Sequence, residues 1–443
     1  MTTFRQLLLP ALLASAFGFA LPGHAQSLVD LYSSARAFDA TYLSARLQYE
    51  ANLARADQAL AGILPTAGVS AGANVNNFEN NQNAALSRNF NTETATLSAS
   101  QPLYRPANVA TYEQGKKQAE LAAAQLLAAE QDLIVRTSQA YFDVLASQDS
   151  LAFVRAQKAA VNEQLASAKR NFEVGTSTIT DTREAQARFD LVVAQEIQAE
   201  NDLRIRKIAL DQLVGRLDTQ PRGLRLPLAL PAVVPNDVNT WVGQADTTHP
   251  AIRQARSNVD IAELEVKKAE AGHKPTLDAT ASYALTRNPS GTSTSLVAAR
   301  TKTASLGVAF NLPLFAGFAT QNRIREALAL SDKSRSDLEG TRRNVAQSTR
   351  TAFFGVISGQ GQVRALEAAE LSSQSALDAN RLGYQVGVRI NIDVLNSQSQ
   401  LFQTKRDLAR ARYDVLVGGL RLRQANGTLT PEDLLLINSL LAP

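Results

Sequence analysis

The chain has 443 residues and no cysteine, which excludes a disulfide framework and thiolate chemistry and predicts no N-terminal lipid anchor on cysteine. Its formal net charge of +4 is small and belongs partly to the first residues, so it implies no nucleic-acid partner. An aromatic content of 6% and a mean hydropathy of −0.15 favour a protein of long helices over a globule with a large core.

Residues 1–25 have the pattern of a secretory signal peptide. Arg5 supplies a basic start, residues 7–21 form an apolar run, and Gly23 and Ala25 are the small residues that a signal peptidase reads. The apolar run is short for a membrane-spanning helix, so we expect cleavage after Ala25. No run of about eighteen apolar residues follows, and the sequence predicts no membrane-spanning helix.

A helix and two strands are predicted next. Residues 28–63 are rich in alanine and have apolar residues at helical spacing, and Gly62 and Pro65 end this predicted helix. Over residues 66–104, apolar and polar residues alternate with a period of two, and a polar loop at 77–92 divides the stretch. This pattern indicates a β-hairpin with one apolar and one polar face.

Two long helices joined by a tight turn follow the hairpin. Residues 116–174 contain neither glycine nor proline, which corresponds to a helix of about 90 Å. The chain turns near 175–181, and a second helix returns over 181–214. The first helix carries a coiled-coil seam with steps of three and four residues. The seam positions are Ala140, Val144, Ser147, Leu151, Val154, Lys158, Val161, Leu165, Ala168 and Phe172.

The second half of the chain repeats the first. The tip motif recurs about 212 residues later at 384–395, which indicates a first repeat over 26–215 and a second over 248–427. The second repeat contains a helix, a hairpin over 276–315 and a tip near 387–393. Its seam is more polar, and we expect looser packing there. The corresponding positions are Ala352, Val356, Gly359, Val363, Leu366, Glu370, Ser373, Leu377, Asn380 and Tyr384.

Two segments lie outside the repeats. Residues 216–247 contain four prolines, which exclude a straight helix and indicate an extended crossover. Residues 428–443 form a tail, where Pro431 and the acids after it predict a short helix with Thr430 as its N-cap.

The four predicted strands have the length that a tilted strand needs to cross a bilayer. A water-soluble sandwich shows the same alternation. However, four strands cannot close a barrel around a lumen, and a sandwich core would have no use for their polar faces. Strands pooled from identical chains leave no edge, so every backbone group in lipid is hydrogen-bonded. Three chains would form a barrel of twelve strands.

Four features together resemble the TolC family of outer-membrane efflux and secretion channels over nearly the whole mature chain. They are the two-fold repeat, the hairpin in each half, Asn311 to Gly317 at a strand-to-helix junction, and the second tip, Tyr384 to Gly387 with Ile392 to Leu395. The resemblance implies an α+β membrane protein with an internal repeat. It would form a trimer, whose twelve-stranded transmembrane β-barrel spans the outer membrane of a Gram-negative bacterium and whose coiled-coil helices form a periplasmic tunnel.

That resemblance also implies function and partners. The chain would be the exit duct of an efflux or type I secretion system, as a homotrimer in contact with outer-membrane lipid. A periplasmic adaptor and an inner-membrane pump of the ABC or RND type would be its partners. Drug efflux and protein secretion are both compatible with a lining of small polar side chains, so the cargo stays open.

In the family, four residues close the idle tunnel at its periplasmic tip. A tyrosine and an arginine of the second repeat bond to a threonine and an aspartate of the first, and the matching positions here are Tyr384, Arg389, Thr180 and Asp181. An Arg fork and a phenol can reach one carboxylate, which gives a firm yet breakable gate latch, because exposed pairs contribute only about 1 kcal/mol each. The alternative is that Thr180 and Asp181 only cap the returning helix.

The family also places two rings of aspartate in the closed mouth. The first matches Asp393, but the second position is Asn396, which halves the charge of this constriction. We therefore expect weaker cation selectivity and weaker block by multivalent cations than two rings would give. The alternative is that Asp393 is an acid favoured by the helix dipole.

Two other classes of protein fit the sequence less well. A periplasmic coiled-coil adaptor or structural rod would explain the helices but not the two alternating hairpins. An enzyme is disfavoured, because the three histidines, His24, His249 and His273, lack the spacing of a catalytic or metal-binding group. We expect no catalytic residue, no metal site and no cofactor.

Overall fold

The computed structural model describes residues 26–82, 87–225 and 227–442, so the predicted signal peptide lies outside the described residues. The single helix predicted over 28–63 is wrong in one respect, because it consists of α1 (Leu28–Phe38) and α2 (Ala40–Leu60), followed by a 3₁₀ turn. Asp39 breaks it. Its backbone is extended, and its carboxylate accepts from Tyr42 N (2.7 Å) and pairs with Arg136. The break therefore comes from an N-cap and a tertiary ion pair rather than from glycine or proline.

Two helical hairpins dominate the structure. In the first repeat, α3 (Pro106–Glu173) turns into α4 (Ile179–Val214), and in the second, α7 (Ala319–Gln385) turns into α8 (Asn391–Ala425). With 68 and 67 residues, α3 and α7 are each about 100 Å long. Shorter helices α5 (Val238–Thr248), α6 (Pro250–Glu270) and α9 (Asp433–Asn438) pack beside them. None of the helices in the described residues is long and apolar enough to cross a membrane.

The strands form one antiparallel sheet in the order β1-β2-β3-β4. They are β1 (Thr66–Phe78), β2 (Arg88–Tyr104), β3 (Thr276–Asn288) and β4 (Ala299–Asn311). The register aligns Val69, Leu97, Tyr283 and Ala304 across the sheet, so the alternating apolar residues share one face. The second hairpin was predicted to reach residue 315, but β4 ends at Asn311, since Pro313 cannot donate to the ladder.

The main apolar core lies halfway along α3, where α1, α4, α8 and α9 meet it. Tyr141 and Phe142 are almost fully buried there, with ring centroids 5.4 Å apart, and the Tyr141 hydroxyl donates to Arg222 O (2.8 Å). In the second repeat, Phe353 is buried but Phe354 is 57% exposed. The two repeats share the same order of helices, strands and glycine-containing turns, but they differ in how much side-chain surface a single chain buries.

The predicted difference between the two coiled-coil seams is confirmed. The buried seam positions on α3 are Val144, Leu151, Val154, Val161, Leu165 and Ala168. On α7, the corresponding buried positions are Val356, Val363 and Leu377. The second seam therefore packs less tightly within one chain, because polar or small residues replace apolar ones there.

The segments outside the repeats run along this core. Short bridges join Gln26 to Pro221 and Leu224 to Leu441, so the crossover is extended before α5 begins. The predicted N-cap Thr430 is wrong. The residue before α9 is Glu432, and Thr430 N instead donates to Asp433 Oδ2 (3.0 Å), because a turn precedes the helix.

The end of α8 gives a testable requirement for glycine. Gly427 has a φ of +79°, and a Cβ there would lie 2.7 Å from His249 N. Gly175 at the first tip has a φ of +77° and no neighbour within 4 Å of an added Cβ. We expect Gly175→Ala to cost about 1–2 kcal/mol through its backbone alone. Gly427→Ala should cost about 1–3 kcal/mol more, because the overlap is with backbone that cannot rotate away.

Thermal unfolding of the detergent-purified variants, followed by circular dichroism at the helical minimum, measures this difference. A lower midpoint for Gly427→Ala than for Gly175→Ala is the expected result. Equal midpoints would show that the contact between the end of α8 and the start of α6 adds nothing to the cost of placing alanine in a left-handed backbone conformation.

Candidate functional site

The two helical tips lie side by side in one chain. Gly175 and Gly387, both in the left-handed conformation, reverse the chain at the ends of α3 and α7. Between the tips lies a cleft of about 830 Å³. Its lining includes Gln164, Asn171, Asp181, Tyr384, Arg389 and Asn391. Three of the four predicted latch residues therefore face a common cleft, and Thr180 is not part of its lining.

Asp181 is the best-held carboxylate at the tips. Ser177 Oγ (2.7 Å), Thr178 N (3.0 Å) and Thr178 Oγ1 (2.9 Å) all donate to its Oδ2. Burial alone would raise the pKa of Asp181, but these hydrogen bonds outweigh it and hold the pKa below its usual range. Asp181 N also donates to Thr178 Oγ1 (3.2 Å), which completes a capping box.

The capping box corrects one expectation from the sequence. Thr178 is the N-cap of α4, and Asp181 is the third residue of the helix, so neither Thr180 nor Asp181 occupies the cap position. Thr180 is exposed. Thr178 was recognisable from the sequence, since a threonine followed three residues later by an acid is typical of a capping box.

Tyr384 and Arg389 have other partners within the chain. Tyr384 Oη accepts a hydrogen bond from Asn171 Nδ2 (3.4 Å), and Arg389 Nη1 lies 3.7 Å from Asp393 Oδ2. Among the hydrogen bonds of residues 26–82, 87–225 and 227–442, none joins Tyr384 or Arg389 to Thr180 or Asp181. The four predicted latch residues are close in space but unbonded to one another in a single chain.

Asn391 joins the two tips and was missed by the sequence reasoning. It is fully buried, its Nδ2 donates to Asp181 O (3.2 Å), and its Oδ1 accepts from Gln164 Nε2. Asparagine in the first turn of a helix is an ordinary end residue, so no local signal distinguishes this bridging role. Asn391 positions the second tip against the first through one side chain.

The predicted constriction residues each have an arginine beside them. Asp393, in the first turn of α8, pairs with Arg389, and the exposed Asn396 accepts from Arg188 Nη2 (2.7 Å). Positive charge near both positions reduces the negative potential that a cation would meet there. Sequence spacing placed Asp393 and Asn396 on one helix but did not reveal Arg188, which comes from α4.

Chemically, this site is a set of exposed or half-buried hydrogen bonds and one loose ion pair between adjacent helix ends. Such contacts contribute only about 1 kcal/mol each, so they can hold two tips together and still be broken. In the described part of the chain, no three His, Asp or Glu side chains are grouped to hold a metal ion. The arrangement suits a closure that separates and re-forms.

Known proteins match this chain over both repeats. The family model for outer membrane efflux proteins matches residues 31–216 and 241–428, one match in each repeat. The outer membrane protein TolC of Vibrio cholerae is 31% identical over 433 residues, covering 98% of this chain and 98% of that protein. The alkaline protease secretion protein AprF of Pseudomonas aeruginosa is 33% identical over 354 residues, covering 79% of this chain and 73% of that one.

A solved structure shares the fold. The outer membrane protein VceC from Vibrio cholerae superposes with a TM-score of 0.76 at 20% identity, covering 90% of this chain and 96% of that chain. The family match spans both repeats and so disfavours an adaptor or rod. The chain belongs to the outer membrane efflux protein family and is an outer-membrane exit duct for efflux or type I secretion, with its helical tunnel in the periplasm.

Proposed function

We propose that three copies of this chain form one channel. The observation that carries the proposal is the sheet, in which β1 and β4 pair on one side only among the described strands and most of one face is apolar. Unpaired strand edges are too costly in lipid to persist, whereas three sheets joined edge to edge make a closed barrel. The helices, about 100 Å long, would then continue the lumen into the periplasm.

The partners follow from this geometry. A tunnel that ends in the periplasm needs a periplasmic adaptor and an inner-membrane pump, of the ABC or RND type, to deliver cargo. Relatives carry names for alkaline protease secretion and for outer membrane efflux, so we retain protein and small molecules as cargo classes. The chain itself would have no catalytic activity, cofactor or nucleic-acid partner.

The latch would act between neighbouring chains. All described hydrogen bonds to the Asp181 carboxylate go to Oδ2, which leaves Oδ1 for a donor from another chain. Tyr384 and Arg389 lie on the tip of the second repeat, with Arg389 58% exposed, and its ion pair to Asp393 is loose. Arg389 and Tyr384 can therefore reach a neighbouring Asp181 and Thr180 at small cost.

Opening the latch should enlarge the pore. In a planar bilayer, we expect a small single-channel conductance for the wild-type trimer and a several-fold larger one for the Tyr384→Phe, Arg389→Ser double variant. Arg364→Ser is the matched control, because Arg364 is an exposed arginine on α7, the helix that carries Tyr384, about 30 Å from the tip. Heat-sensitive migration on gels should show that all three proteins are trimers.

Equal conductance in wild type and double variant would still support a pore, but it would show that these residues only make local contacts at the helix ends. No conductance from properly trimeric protein would contradict the channel itself.

The charge of the constriction is testable at two positions. We expect Asp393→Asn to abolish most of the block by multivalent cations. Of the two predicted constriction positions, only Asp393 is acidic in this chain, so the substitution removes the acidic ring. Asn396→Asp should strengthen block only modestly, since Arg188 would pair with the new carboxylate. Combining Asn396→Asp with Arg188→Gln should strengthen it further. Block measured as current against cation concentration would be unchanged in Asp393→Asn if that ring had no role.

Acid should loosen the first tip. The folded-state pKa of Asp181 lies below its unfolded value, so its carboxylate stabilises the tip above the usual Asp pKa of about 3.9. That stabilisation is lost as pH falls through the lower, folded-state pKa. We therefore expect wild-type conductance to rise only as pH falls below about 3.9. Asp181→Asn should conduct more at neutral pH and respond less to acid; an equal acid response in both proteins would assign the effect to other carboxyls.

A further inference from the structure

A basic cluster lies at one end of the apolar face of the sheet. It consists of Arg287 on β3 with Arg300 and Lys302 on β4, all three exposed. The register pairs Arg287 with Arg300 and Leu285 with Lys302. Because side chains alternate along a strand, the cluster shares its face with Leu277 and Phe310, which are themselves paired. These cations therefore face outward, on the side that contacts lipid.

The cluster lies at the end of the sheet that points out of the cell. Every strand joins the helical body at one end, near Thr66, Tyr104, Thr276 and Asn311. The cluster is at the opposite end, beside the loop 289–298. Since the helices occupy the periplasm, this end meets the outer leaflet.

The height of the cluster matches the lipid headgroups. From Phe310 to Lys302 the strand advances eight residues, which is roughly 27 Å along the strand and about 21 Å along the membrane normal at the usual tilt. Arg300 and Arg287 lie about 5 Å higher. The apolar band of such barrels is about 25 Å tall, so the three cations reach its upper boundary, where charged side chains cost little.

The charge on this face is unbalanced. Glu93 is the one carboxylate on the outward face of the described strands, and its Oε2 lies 3.6 Å from Arg287 Nη1. Arg300 and Lys302 form no ion pair among the described residues. In addition, Arg287 and Arg300 are direct cross-strand partners, and like charges in that relation repel. An anion held between them would remove this repulsion.

We propose that Arg287, Arg300 and Lys302 bind the phosphate of a phosphorylated glycolipid headgroup in the outer leaflet. A guanidinium group can donate two parallel hydrogen bonds to two oxygens of one phosphate, and an ammonium group adds a point charge. The described strands carry no outward cation at the periplasmic end, so the site selects one leaflet and fixes the depth of the barrel. This inference rests on the proposed closed barrel.

Purified trimers can be titrated with lipopolysaccharide in detergent and the bound lipid measured by native mass spectrometry. We expect the triple variant Arg287→Gln, Arg300→Gln, Lys302→Gln to bind at least tenfold more weakly than wild type, and Glu93→Gln to bind more tightly. Adding Thr301→Lys to the triple variant returns one cation at the same height on the lumen face, and it should not restore binding. Dephosphorylated glycolipid should bind wild type and triple variant equally.

Two results would overturn the proposal: equal lipopolysaccharide binding by wild type and triple variant, or recovery through Thr301→Lys. Competition by inorganic phosphate at the lipid concentration would show a site for free phosphate and not for a lipid headgroup. Trimer migration and conductance should be unchanged in the triple variant, so loss of either would indicate failure of the barrel and not of the lipid site.

Discussion

The structure depends on one constraint: a backbone amide or carbonyl in hydrocarbon must be hydrogen-bonded within the protein. Each chain contributes only four strands, and their outer edges, β1 and β4, have no partner among the strands that the structure describes. In lipid, the edge strands of this sheet would be fully hydrogen-bonded only if they paired with the sheets of other chains. The same constraint explains why apolar residues of medium size alternate with Thr, Ser and Gly, since one face meets lipid and the other meets water.

The helical body solves a different problem, because a long tube has little interior. Where α1, α3, α4, α8 and α9 meet, a core forms around Tyr141 and Phe142. Beyond it, each helical pair is held mainly by a narrow seam, rich in aliphatic residues on α3 and poorer on α7. A tube can vary its diameter only if some of its helices are less firmly fixed than others. The second repeat, which buries fewer seam residues, carries Tyr384 and Arg389.

Periodicity in the sequence predicted most of this architecture and little of the site. Alternation placed all four strands, and the freedom of 116–174 from glycine and proline predicted the long helix, because both signals are local. The break at Asp39 escaped prediction because it combines a local N-cap with an ion pair to Arg136, ninety-seven residues away. Asn391 and Arg188 were missed for the same reason: their partners lie in the other repeat, and a single sequence does not reveal which polar side chains meet across repeats.

Arg389 has one carboxylate partner within its own chain, Asp393, and a second, Asp181, only in the proposed contact between chains. Within its own chain it pairs loosely with Asp393, and in the proposed trimer it would reach the Oδ1 atom of a neighbouring Asp181. Exchanging one exposed ion pair for another changes the free energy by no more than about 1 kcal/mol. In the proposed trimer, closed and open tips would then be nearly isoenergetic at each contact, and a partner that binds one arrangement slightly better would shift the population. The proposed latch would need no strong bond, because three weak contacts opened together would still discriminate between the two states.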